Sequence, residues 1–343
     1  MRRHTGYFMK RLLNNRPALA YLATVGVLLA ALLLGLLCGA GRINILNALR
    51  DVLSGNTEST EGRILLYVRL PRVLGALLCG AALAVAGATV QGVLANRLAS
   101  PSTVGVNAGA GLAVTVASAL GVIGGFRLSL FAFLGAFCSV MLIALGAKRF
   151  GASRGTVILA GVAMNALLGA ISDTVTTLSP EVSVLSNDFK IGDFSAVSYA
   201  KLLPAACLIL PSLLLLMTLS SELDVLSLGE DTARGLGLRT GRARLLLLLL
   251  AALLSGAAVA LAGLLSFVGL LVPHAVRRTV GARARHLLPL SALLGAGFVT
   301  LCDTLARVVA APYELPVGIL LAFLGAPFFI LILIRTRGGE RDA

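Results

Sequence analysis

Apolar runs about as long as a bilayer is thick alternate with short polar breaks along nearly the whole chain. A hydrocarbon core takes ~20 helical residues to cross, and a helix satisfies its own backbone polar groups within it. Reading the runs between breaks predicts ten helices, at about 18–40, 71–95, 104–123, 128–147, 155–178, 202–220, 243–264, 267–280, 287–310 and 316–335. The stretch 243–276 carries a single charge, Arg244, and is too long for one span yet short for two. A full helix, a turn near Gly263–Gly269 and a shorter helix kinked at Pro273 accommodate it.

Composition sharpens this into an all-α membrane protein with one transmembrane domain over residues 1–343. The chain is 58% hydrophobic and 13% charged, with a mean hydropathy of +0.96, too little charge to cover a soluble surface of this size. The N-terminal run, about Pro17 to Gly41, exceeds the ~7–15 apolar residues of a cleaved signal and is read as a retained first span. The five cysteines lie in or beside apolar runs with no CxxC pair, as packing residues. The histidines His4, His274 and His286 fall in separate polar-side segments, so no metal site and no cofactor is expected.

The net charge of +14 does not imply a nucleic-acid partner, because the basic residues sit in breaks between apolar runs, with no stripe of interleaved aromatics. Ten spans place both termini on one side. That side, with the alternate breaks, holds 20 of the 29 Lys and Arg, which predicts cytoplasmic termini by the positive-inside rule. Gly80–Gly87 (GAALAVAG) and Gly256–Gly263 (GAAVALAG) hint at an inverted repeat, and their small residues signal close helix packing.

The polar island Ser227–Arg242, SLGEDTARGLGLRTGR, interrupts this pattern on the side predicted to be cytoplasmic. Glu230 and Asp231 suit the first turn of a short helix, Glu230 and Arg234 stand i, i+4 in the favourable order, and Gly235 and Gly237 stop it. The island reads either as an ordinary loop or as a docking knob for a cytoplasmic partner.

No energy source is visible in the chain. None of the four lysines, Lys10, Lys148, Lys190 and Lys201, follows a glycine as a nucleotide-binding loop requires. An ion-coupled secondary transporter, the reading from another class, needs membrane-embedded acids. Only Asp173 and Asp303 qualify, and Arg307 lies one turn from Asp303. No nucleophile–base pair suggests an enzyme.

Several motifs in order carry a resemblance: RLPRVLGALLCGAALAVAGATVQGVLANRLASPSTVGVNAGAG (Arg69–Gly111), LGEDTARGLGL, LSFVGLLVPHAVR, CDTLAR and ELPVGILLAFLGAPFFILIL. From about Arg69 to Ile334 the chain resembles the FecCD family, the permease subunits of ABC importers for vitamin B12, haem and ferric siderophores. The resemblance implies a multi-pass permease of the inner (cytoplasmic) membrane, a homodimer served by two ABC ATPase subunits and an extracytoplasmic substrate-binding protein. A ferric siderophore is the expected cargo, with haem or cobalamin as alternatives.

By the same resemblance, about 226–238 is the coupling helix, with Leu226, Gly229, Glu230, Asp231, Ala233, Arg234, Leu236 and Gly237 at the ATPase. Arg69, Arg72 and Arg307 are expected to dock the binding protein; from the residues alone they read equally as interface anchors and a partner for Asp303. Gln91 and Asn96, read on the second helix, together with Asp173, are candidates for pathway lining or for packing. Arg97 stands where the family has proline, and the outer segment Ser179–Lys201, read as a loop, matches the family least.

Overall fold

The computed structural model describes residues 16–39, 41, 44–54 and 59–338. The basic N-terminal segment, Arg42 and the last five residues lie outside them. Among the described residues the fold is entirely helical. It comprises α1 (Arg16–Leu37), α2 (Ile45–Leu53), α3 (Thr60–Val93), α4 (Val106–Ala119), α5 (Gly125–Arg149), α6 (Arg154–Leu178) and α7 (Pro180–Ile191). The chain continues through α8 (Tyr199–Thr218), α9 (Ser220–Ser227), α10 (Glu230–Gly235), α11 (Thr240–Ala262), α12 (Val268–Val280), α13 (Ala284–Val309) and α14 (Val317–Gly338).

Helix occupies all ten segments that the hydropathy pattern singles out. Seven of these helices are long and apolar enough to cross a membrane, and α4 and α14 contribute shorter apolar stretches. α3, α11 and α13 form the core, with 83%, 72% and 61% of their apolar windows buried, whereas α1 and α6 lie at the periphery with 11% and 17%. Small residues bring the core helices together. A Cβ on Gly80 would lie 2.1 Å from the Gly295 carbonyl oxygen, and one on Gly87 would lie 1.9 Å from that of Gly269. These glycines let α3 approach α13 and α12 backbone to backbone, the geometry that small residues allow in membrane helices.

Several expectations are corrected. α3 begins eleven residues before the expected start at 71, because Ser59 caps Gly62 N–H and a π-helical segment, Ile64–Arg69, carries the helix on. The segment Ser179–Lys201 is not simply a loop, since Pro180 opens α7 within it. Its mixed polar sequence lacks the apolar run that betrays a span. Asn96 is not on a helix: α3 ends at Val93, Ala95 takes a left-handed φ of 46°, and the Asn96 carboxamide accepts from Leu98 N–H at 2.9 Å. Gly263 keeps the close approach expected of it but also terminates α11: with φ 74°, a Cβ there would lie 2.5 Å from the Phe189 carbonyl oxygen of α7.

The breaks at 96–103, 149–154, 219–240 and 281–284 share one end of the bundle, joined by contacts such as Ala284 N–H to Asp224 (2.7 Å) and Arg244 to the Ala152 carbonyl (3.2 Å). This is the island end. The opposite, far end gathers the C-terminus of α1, the start of α3, α7 and the segment 310–316.

Candidate functional site

The island folds as two short helices, α9 and α10, separated by Gly229 at φ 120°. Glu230 opens α10, where its charge suits the helix dipole. Arg234 reaches it one turn on at 2.7 Å, the spacing legible in the sequence. Arg244, fourteen residues later on α11, binds the other carboxylate oxygen and also donates to the Ala152 carbonyl before α6. Burial alone would raise the Glu230 pKa, but the hydrogen bond and charge of Arg244, helped by Arg234, hold it below the usual carboxylate range.

Two more contacts fasten the island. Arg154 at the start of α6 donates to the Leu226 carbonyl at 2.6 Å, and Asp224 caps the start of α13 through Ala284 N–H. Leu226 and Ala233 are fully buried, whereas Leu228, Asp231, Leu236 and Gly237 face outward. The knob is therefore tied to α6, α11 and α13 on one side and presents two exposed leucines beside a carboxylate on the other. Sequence reasoning finds the Glu230–Arg234 pair but misses Arg154 and Arg244, whose proximity only the tertiary fold creates.

At the far end the structure brings Arg69, Arg72 and Arg307 together, each less than 5% exposed. Arg72 spans Asp303 (3.0 Å), Glu314 (2.6 Å) and Asp193 (3.6 Å). Arg307 contacts Asp303 at 3.1 Å and donates to the carbonyls of Gly35 and Cys38, each at 3.2 Å. Arg69 donates to the carbonyls of Leu36, Leu37 and Gly41 at 2.6–2.7 Å. The last carbonyls of a helix have no intrahelical donors and carry the negative end of its dipole. Arg69 and Arg307 thus cap α1, the least buried span, and their guanidiniums turn inward. Of the cluster, Glu314 and Asp193 are the members that water reaches, with side chains 37% and 28% exposed.

The remaining candidates separate. Gln91 is buried, donates to the Gly269 carbonyl of α12 at 3.0 Å and accepts from Arg277, bonds that join helices. Asp173 stands on the exposed side of α6, 3.9 Å from Lys190. The His274 ring packs edge-on to Phe328.

A bundle of apolar helices with a fastened polar knob at one end defines a polytopic membrane protein. The chain matches the FecCD transport family over residues 27–335 and belongs to that family. It is 37% identical over 317 residues to the hemin transport permease HmuU of Yersinia pestis, covering 90% of this chain and 95% of the relative. It is 38% identical over 339 residues to the Fe(3+) dicitrate transport permease FecC of Escherichia coli (strain K12), covering 94% and 99%. A solved inward-facing structure of a metal-chelate type ABC transporter superimposes with a TM-score of 0.81 at 28% identity, covering 93% of this chain and 99% of that one.

Proposed function

We propose that this chain forms the translocation pathway of an ABC importer for an iron chelate, as a homodimer driven by two separate ATPase subunits and supplied by an extracytoplasmic binding protein. The observation that carries the reading is the island. Its inner side is bonded to three spans while its outer side offers Leu228 and Leu236 among the exposed charges of Asp231, Arg234, Arg239 and Arg242, an apolar and charged surface. A knob tied this way can pass ATPase closure into a rigid-body tilt of α6, α11 and α13. With the island cytoplasmic, both termini are cytoplasmic and the far end is extracytoplasmic, in a cell membrane crossed ten times.

The second copy would cover the exposed side of α6. Leu159 and Val162 share that helix face with Asp173, a charge costly against lipid and better placed beside a water-lined passage between protomers. Docking of the binding protein would fall at the far end. Acidic side chains of that protein would exchange with Glu314 at Arg72, while Arg69 and Arg307 hold α1. Ferric siderophores and ferric citrate head the cargo list, and the hemin-transport relative favours haem as the second reading.

The test is uptake by proteoliposomes containing this chain, its ATPase and the binding protein, with ATP inside, comparing ferric hydroxamate, ferric citrate and haem. Uptake of one of them that requires both partners is expected. Transport by this chain alone, driven by a pH gradient, would replace the importer with a secondary carrier.

A further inference from the structure

The far end carries a feature that the importer reading leaves unused. A cavity of about 480 Å³ opens between the α4–α5 turn, α7, the start of α8 and the end of α11. Its lining includes Ser118, Gly124, Gly125, Ser129, Asp188 and Lys201. It adjoins a groove of about 120 Å³ between α5, α8 and α11, lined by Phe126, Leu130, Phe133, Leu208 and Leu261, and Lys201 and Ser129 line both.

Three observations in the cavity point to one ligand chemistry. α5 starts at Gly124 and Gly125 with no side-chain cap and no acidic residue in its first turn, so its first N–H groups and its dipole face the space uncompensated. Ser118 is 6% exposed, and its hydroxyl lacks a hydrogen-bond partner. Lys201 makes no ion pair or side-chain hydrogen bond among the described residues. Together they line one cavity with donors and positive charge, the chemistry that suits a phosphate. Two carboxylates share the lining. Asp193 is occupied, accepting from Ser195 N–H at 3.0 Å and standing 3.6 Å from Arg72. Asp188 is exposed and, like Lys201, has no partner among the described residues. A ligand that suits the whole site carries a phosphate, a nearby ammonium and an apolar tail.

We infer that this composite is a binding site for an aminophospholipid of the far-end leaflet. The phosphate sits on the α5 N-terminus, Lys201 and Ser118; the headgroup ammonium meets Asp188; the headgroup-proximal part of one acyl chain enters the groove. Lys201, at the start of α8, is half-buried and lines both spaces, so its apolar stem can lie along the groove while its charge serves the cavity. The site ties α4, α5, α8 and α11 together at the mouth of the bundle, independently of which cargo is carried.

The experiment is native mass spectrometry of the purified full-length permease with added phosphatidylethanolamine, phosphatidylglycerol or soluble glycerophosphoethanolamine. Wild type should retain phosphatidylethanolamine over phosphatidylglycerol, and bind glycerophosphoethanolamine at least roughly tenfold more weakly than the lipid, since the chain contributes burial. Lys201→Ala should lower retention of both lipids by roughly tenfold, the worth of one charge-assisted contact. Asp188→Asn should abolish the preference for ethanolamine and leave phosphatidylglycerol unchanged. Both side chains are at least partly exposed, so both variants should fold; equal melting temperatures check this. Equal retention of the two lipids by wild type, unchanged retention in Lys201→Ala, or equal affinity for the soluble headgroup would each overturn the inference.

Discussion

The two ends of this permease spend their anchoring arginines alike and differ in what is left facing outward. At the far end, Arg69, Arg72 and Arg307 are buried and their donors are spent on Asp303, Glu314, Asp193 and the last carbonyls of α1. At the island, Arg154 and Arg244 are spent in the same manner, fastening the knob, but Asp231, Leu228 and Leu236 are left facing outward. The comparison teaches how to tell an anchoring charge from an interface charge in a membrane protein. An anchoring guanidinium reaches helix ends and buried carboxylates, whereas an interface is marked by what the anchoring leaves over.

The sharpest way to break this comparison is at Arg72. Arg72→Ala leaves Asp303 with Arg307 alone and removes the ties to Glu314 and Asp193; a loss of about 3–5 kcal/mol is expected, read as a large drop in the melting temperature of the purified protein. Arg72→Lys should recover only part of it, because an ammonium cannot reproduce the guanidinium fork. Removing the island's anchor should cost less. Arg244→Ala is expected to destabilise by about 1.5–2 kcal/mol, since the Glu230 side chain is 29% exposed, and to speed hydrogen exchange over 226–238 with the far end unaffected.

Acid separates the ends by a milder route. The folded-state pKa of Glu230 is depressed, so its contribution is fully present above the unfolded value of about 4.3 and is lost as pH falls through the lower folded value. Island exchange rates, corrected for the intrinsic pH effect, should be flat from pH 8 to 5 and rise only below about pH 4. The smallest effect is expected at Arg234, whose side chain is 63% exposed. Arg234→Ala should cost about 0.3–0.5 kcal/mol, barely visible in a melting curve.

Much of the bundle was legible because a membrane forces long apolar runs, and a run of that length has few alternatives to helix. Short amphipathic or mixed helices were not: α2 and α7 carry no such run, and they start at the Asn44 cap and at Pro180. The island was legible as a polar break with a local Glu230–Arg234 pair, since i, i+4 geometry is intrinsic to a helix. Its other partners, Arg154 and Arg244, come from distant segments, and sequence spacing carries no trace of that meeting. The same holds for Arg69 and Arg307. RLPR and CDTLAR advertise cations near a membrane surface, but only the fold reveals that they reach the carbonyls ending α1. Asn96 was misplaced because the left-handed turn at Ala95, a non-glycine residue, ends α3 without a sequence signal.

The central claim is that the outward side of the island is the ATPase docking surface. The most direct measurement is co-purification of the ATPase with Leu228→Glu/Leu236→Glu, a double variant that touches only exposed side chains and should keep the wild-type melting temperature. Loss of ATPase from a folded permease is the expected result. Wild-type amounts of ATPase on the variant would contradict the claim and return the island to the status of a well-fastened loop.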